Sequence, residues 1–361
     1  MLAVRVRARW RCFAGCSSLG RMEDDEVRFE CRGALGHIVL NRPRAINALT
    51  HGMVVAIRSM LDKWATDDSV ERVVLSGAGD RGLCAGGDIV SLYRDATTGD
   101  GSSAEAFWRD EYALDAHIAD YPKPFIAIMD GVTLGGGVGL AAHASHRVVT
   151  ERSKVGMPET TIGFVPDVGG TWLLSRMPGE LGTYLALSAT SVGPGDAITL
   201  GLADYFVPSS RLPELLDALS RVEPVETSDV LHSFAQPPPP TQLSNLDRID
   251  AAFAGSDLAT ILARVVVVDV EVAELIAAKS PTALAVTLQS LRRARELPDL
   301  RAALAQEFRV SMRALRTPDF AEGIRAQVID KDRNPHWNPA RVQDVTDVDG
   351  FFAPLERELW Q

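Results

Sequence analysis

Three short stretches carry residue types that could do chemistry on a carbonyl. The first is RGLCAGGDI at 81–89, where Gly86 and Gly87 follow a strand-like run and precede a helix-like one. A glycine has no Cβ, so its main-chain amide can approach a ligand closely; a plain tight turn would use the same residues. The second is DGVTLGGGVGLAAHA at 130–144, with Gly135, Gly136 and Gly137 between an apolar strand and an apolar helix. A helix start offers unpaired N–H groups and the positive end of the dipole, which suit a phosphate or a developing oxyanion. Close helix–strand packing is the alternative reading. The run is neither GxGxxG nor a P-loop, since no GK[ST] follows. The third is VGMPETTIGFVPDVGGTWLL at 155–174, in which Glu159 and Asp167 each directly follow a proline among Met157, Ile162, Phe164 and Val165. A carboxylate in such company is costly unless it is paired or used. Burial raises its pKa towards neutrality and suits it to proton transfer. The competing readings are a solvated or capping acid at Glu159 and a cap for the next turn at Asp167.

The elements that must hold these stretches alternate. GHIVLNRP (36–43) predicts a short strand ending in a proline turn. After it, Met53, Val54, Ile57, Met60, Leu61 and Trp64 recur at helical spacing, with Thr50 as the N-cap. RVVLSGAG, PFIAIMDG (124–131) and HRVVTE (146–151) read as buried strands. Strands and helices alternate to about residue 210, an α/β pattern. The tract Pro237–Pro240 marks a linker or an insertion. Beyond 241 the pattern is helical, with two amphipathic helices in SPTALAVTLQSLRRAREL and LRAALAQEFRVSMRAL, and DKDRNPHWNP breaks the last helix and packs an aromatic side chain. The organisation expected is residues 1–21 apart from the fold, 22–210 as an α/β core, and 211–361 mainly helical.

Composition narrows the partners. With 361 residues, a net charge of -11 and a pI near 5.2, the chain is a poor polyanion binder, and nucleic acid is not expected as a partner. A membrane is not expected either, since no apolar run reaches the length that spans one. The first 21 residues hold Arg5, Arg7, Arg9, Arg11 and Arg21 and no acid. They read as a mis-assigned start ahead of Met22, with an organelle transit peptide as the alternative. Arginine far outnumbers lysine, which points to a GC-rich bacterial genome and a cytoplasmic protein; a transit peptide would make it mitochondrial. Cys12, Cys16, Cys31 and Cys84 form no CxxC pair and read as thiols of a reducing compartment, with Cys84 packed in the interior. There is no G-x-S-x-G elbow and no HExxH. His143 and His146 read as structural.

Taken in order, NRPRAINAL, CAGGDI, GGGVG and MPETTIGFVPDVGG resemble the crotonase (enoyl-CoA hydratase/isomerase) superfamily, and the resemblance runs from about residue 26 to 345. It implies a spiral of ββα repeats around a CoA-ester pocket, followed by a helical C-terminal region. It also implies an oxyanion hole made by the amides of Gly87 and Gly136. Within the superfamily the acids decide the branch. Hydratases carry one Glu three positions after the middle glycine and a second in the PE motif; here the first position is Gly139 and only Glu159 remains. The branch that hydrolyses 3-hydroxyisobutyryl-CoA in valine breakdown is more similar. It keeps the Glu of MPET, adds the Asp of PDVGG (Asp167), and has an acid in a REEY-like segment, matched by Glu111 in WRDEYALD. The run 319–339, with IDKD, also resembles that branch, whereas GGTWLL departs from its more aromatic pattern.

By that resemblance Glu159 attacks the thioester or deprotonates water, Asp167 assists, and Glu111 holds a hydroxyl of the acyl chain. Arg42 and Arg44 are candidate CoA contacts. No metal or redox cofactor is implied, CoA being part of the substrate, and a homo-oligomer is left open. Two other readings stand beside the hydrolase: an enoyl-CoA hydratase or isomerase, and a non-catalytic acyl-CoA-binding protein.

Overall fold

The computed structural model describes residues 25–221, 226–243 and 246–360. The expectations placed on residues 1–21, and on Cys12 and Cys16, lie outside the described residues. The described residues begin with β1 (Val27–Arg32) and β2 (Leu35–Leu40), then α1 (His51–Ala65). Thr50 caps α1 by accepting from the Met53 amide, and the six apolar residues picked out by helical spacing are the buried ones.

Three ββα units follow. The first is β3 (Arg72–Gly77), β4 (Gly82–Cys84), α2 (Ile89–Thr98) and α3 (Ser102–Ala119). The second is β5 (Phe125–Met129), β6 (Val132–Leu134) and α4 (Gly136–Ala142); the third is β7 (His146–Val149), β8 (Lys154–Gly156) and α5 (Gly170–Ser175). After α6 (Leu181–Ser188) and α7 (Pro194–Thr199), β9 (Tyr205–Phe206) closes the strand run. Each unit gives one strand to each of two sheets. The larger runs β1-β2-β3-β5-β7-β9 and the smaller β4-β6-β8. Among the strands of the described residues only the β1–β2 pair is antiparallel, apart from a single bridge between Val155 of β8 and Val192. This is the expected ββα spiral.

Both faces of the large sheet are covered, so its central strands are apolar nearly throughout. Side chains alternate by face. Leu35, Val74, Ile126, Ile128 and Val148 pack on α8 (Leu212–Leu219) and α9 (Thr227–Phe234), while Ile38, Leu75, Ala127, Met129 and Val149 enter the main core.

The rest of the chain is helical, as expected: α10 (Leu246–Phe253), α11 (Leu258–Val268), α12 (Val270–Ala277), α13 (Pro281–Ala294), α14 (Leu300–Ala314) and α15 (Pro318–Ile324). It is not a separate body, however. Val286, Leu304, Phe308 and Phe320 belong to the same core as the strands, which extends to Leu359. The tract Pro237–Pro240 is irregular and exposed, and Trp337 donates from its indole N–H to the Ala278 carbonyl. Among the described residues no helix is long and apolar enough to cross a membrane.

Candidate active site

The small sheet aims two glycine-rich turns at each other. After β4 the chain turns through Gly86 (φ +109°), and the Leu49 amide donates to the Gly86 carbonyl (2.9 Å) while the Asp88 amide donates to the Leu49 carbonyl (2.8 Å). Leu49 and Gly87 therefore form a parallel bridge in which Leu49 makes both bonds. In such a bridge the Gly87 N–H faces the other way. It faces Gly136: a Cβ placed on Gly136 would lie 3.4 Å from the Gly87 nitrogen. Gly136 is the first residue of α4, so its own N–H has no partner within that helix. Neither amide donates to any carbonyl or side chain among the described residues. Gly135 precedes them at φ +50°, ψ -121°, a region open to glycine alone, and a Cβ there would meet Glu159 Oε1 at 2.7 Å.

Around these amides stand five buried carboxyls. Exposure is 2% at Glu111, 0% at Asp115, 6% at Glu159, 5% at Asp167 and 1% at Glu307, so none is a solvated loop acid. None of the five forms an ion pair with a described residue. Glu159 opens a single 3-10 turn (Glu159–Ile162), and its Oε2 has no hydrogen-bond partner. Burial first, and Asp167 second, hold its carboxyl well above the usual range. Glu111 comes from α3, and its Oε1 would be 2.6 Å from a Cβ on Gly136. It too is unpartnered at Oε1 and raised by burial and by Asp167. Asp167 accepts the Tyr112 hydroxyl (2.7 Å), and Tyr112, its one proton spent, accepts from Ser311 Oγ (2.8 Å). Burial lifts Asp167 to about 7, against the lowering effect of the Tyr112 bond. The structure thus brings Gly87, Gly136, Glu159, Asp167 and Glu111 together.

Asp167 does not cap the turn that follows it. Glu307 of α14 does, accepting from Gly169 N (2.7 Å), Thr171 N (2.9 Å) and Thr171 Oγ1 (2.5 Å); burial raises it to about 8. From the other side His143 donates from Nε2 to the Val168 carbonyl (2.9 Å), and burial lowers its pKa to about 4, which keeps the ring neutral. Its structural reading holds. Val168 itself sits at φ +51°, strained for a β-branched residue. Sequence reasoning missed Glu307 and Asp115.

The two arginines differ. Arg42 is committed to the fold: it pairs with Glu26 (3.1 Å) and Asp88 (3.0 Å) and donates to the Ala48 carbonyl (2.6 Å). That ties the loop before α1 to the residue after Gly87, and it leaves Arg42 little capacity for a phosphate. Arg44 is exposed, and among the described residues only its carbonyl is engaged, by Arg81 (3.3 Å). Cys84 is buried, with its thiol pushed up to about 12, so it is no nucleophile. Among the described residues no group of His, Cys, Asp and Glu is arranged to hold a metal ion.

Two facing turns with free amides, set in a ββα spiral, define a class of enzyme that acts on acyl thioesters. Residues 35–352 match the family described as enoyl-CoA hydratase/isomerase, and the chain belongs to that family. It is 37% identical to the mitochondrial 3-hydroxyisobutyryl-CoA hydrolase of Xenopus tropicalis, over 92% of this chain and 90% of the relative. To the rat protein of the same name it is 38% identical, again over 92% and 90%. Among solved structures it resembles a carnitinyl-CoA dehydratase from Mycobacterium thermoresistibile (TM-score 0.88, 46% identity, covering 93% of this chain and 98% of that one). It also resembles an enoyl-CoA hydratase from Rhodobacter sphaeroides 2.4.1 (TM-score 0.82, 42% identity, covering 92% and 98%).

Proposed function

We propose that the protein is an acyl-CoA thioester hydrolase, and that its substrate is 3-hydroxyisobutyryl-CoA, cleaved by water to 3-hydroxyisobutyrate and CoA in valine breakdown. The observation that carries this reading is the Glu159 carboxyl packed on Gly135 with its Oε2 unpartnered, beside two amides that donate to no described residue. The hydrolase names of the relatives support it. The thioester oxygen sits between the Gly87 and Gly136 amides, where each donor contributes about 3 kcal/mol as negative charge develops. In its ionised form Glu159 deprotonates a water or attacks the carbonyl directly, the C–S bond breaks, and Asp167, near neutrality in pKa, carries the second proton transfer, to the departing CoA sulfur. Glu111 accepts from the hydroxyl of the acyl chain; a site built for that hydroxyl discriminates against esters without it. CoA arrives as part of the substrate, with Arg44 the freer cation for its phosphates, and no metal or redox cofactor is called on.

A hydratase is the second reading, favoured by the names of the two solved structures. Position 139 weighs against it, since glycine there supplies no second Glu from α4. Glu159→Gln separates chemistry from binding. Thiol release from 3-hydroxyisobutyryl-CoA is expected to fall at least a thousandfold, with affinity for the ester kept within several-fold. Normal turnover in that variant would end the Glu159 assignment.

A further inference from the structure

The chemistry above uses Glu111, Glu159 and Asp167, and Glu307 is accounted for as a cap. Asp115 is left over. It is fully buried, and among the described residues it makes no ion pair and has no hydrogen-bond partner for either carboxyl oxygen. Such burial is unfavourable in either protonation state unless something outside the chain satisfies the group.

Its position says what that could be. Glu111 and Asp115 lie one turn apart on α3, and they rest on Gly136 and Gly139, which are three positions apart on one face of α4. A Cβ on Gly136 would meet Glu111 Oε1 at 2.6 Å, and a Cβ on Gly139 would meet both Asp115 oxygens at 3.0 Å. The face of α4 that turns Gly136 towards the Gly87 nitrogen therefore turns Gly139 towards Asp115. The same Cβ on Gly139 would lie 2.6 Å from the Val168 side chain, directly after Asp167. Asp115 thus lies between Glu111, one turn earlier on α3, and the Asp167 turn, which Val168 brings against Gly139. Burial and the neighbouring Glu111 favour its neutral form, with one O–H donor and one acceptor. The glycine at 139 clears room for a carboxyl delivered from α3.

We propose that Asp115 and Glu111 together bind an oxygen that both donates and accepts hydrogen bonds in the acyl pocket, either the hydroxyl of the acyl chain or the attacking water. The water case rests on the hydrolase reading; the hydroxyl case needs only acyl-CoA binding. Asp115→Leu removes both polar atoms at similar volume, and Asp115→Asn keeps a donor and an acceptor. Binding of 3-hydroxyisobutyryl-CoA and isobutyryl-CoA is measured by calorimetry in the Glu159→Gln background, and turnover of both in the otherwise wild-type chain.

If the hydroxyl is the ligand, Asp115→Leu weakens binding of the hydroxy ester at least tenfold, leaves the plain ester within twofold, and Asn restores binding to within threefold. If water is the ligand, kcat falls at least tenfold on both esters with binding unchanged, and Asn again restores. Should the leucine variant not fold, Asp115→Ala carries the same expectations. Binding and turnover of both esters within twofold of the parent, or equal weakening of both esters in binding, would overturn the proposal. A chain that releases no thiol from either ester would sink the hydrolase reading, and binding alone would then decide the role of Asp115.

Discussion

Glu159 and Asp167 stood out in the sequence because a charged residue among Met157, Ile162, Phe164 and Val165 has few structural uses, and both are buried as that argument requires. Gly87 and Gly136 were legible for a different reason: the glycine runs marked turns that could come close to a ligand, and the family resemblance singled out these two amides; at Gly136 the structure adds that Glu111 Oε1 stands 2.6 Å from where a methyl would go. Gly136→Ala is therefore expected to displace Glu111 or the amide, with kcat falling about 10²–10³-fold, the loss seen when one oxyanion donor is misplaced. Steady-state kinetics with a circular-dichroism check of folding measures it; unchanged kcat would mean that the Gly136 amide does not face the reacting oxygen. Asp115 was not legible. Its immediate neighbours Leu114 and Ala116 are apolar, but Arg109, Asp110 and Glu111 stand within six residues before it, so the segment reads as a mixed helix on which one more acid is solvated.

The elements show the same division. α1 was readable because its buried side is purely apolar. α3 was not, because its buried side carries Glu111 and Asp115 among Phe107, Trp108 and Leu114, and carboxyls at core positions erase the hydrophobic period. The strands β4, β6 and β8 span three residues each, too short for a period of two to appear. Glu307 lies in a helix that reads as ordinary and amphipathic, yet it holds the turn bearing Asp167 from across the fold. Removing it leaves the Gly169 and Thr171 donors without a partner. Glu307→Ala is expected to destabilise the protein by about 2 kcal/mol or more, read by urea denaturation, and to lower kcat through the loosened Asp167. A variant as stable as the parent would show that the cap carries no weight.

At the scale of the molecule, the alternation of strands and helices and the helical run that follows were legible, but composition cannot reveal that both parts fill one core. The whole chain therefore carries the burden of the buried acids. Asp167 is raised to about 7 and Glu307 to about 8, while Glu111, Asp115 and Glu159 are raised above their ordinary range. A raised acid binds its proton in the folded state where the unfolded chain has lost it. The stability it contributes is complete below the unfolded pKa and is lost as pH rises through the folded one, at up to about 1.4 kcal/mol per pH unit for each extra proton. The free protein should lose stability between about pH 5 and about pH 8, and Asp167→Asn should flatten the part of that slope below about 7. Denaturation midpoints rising with pH over this window would contradict the protonated cluster.

The central claim is that this site breaks the thioester and leaves the acyl chain intact. It is tested most directly by incubating the protein with 3-hydroxyisobutyryl-CoA and following free thiol and enoyl-thioester absorbance in the same cuvette. Stoichiometric thiol with no enoyl signal is the predicted result. An enoyl thioester accumulating while the thiol stays bound would show dehydration and contradict the hydrolase.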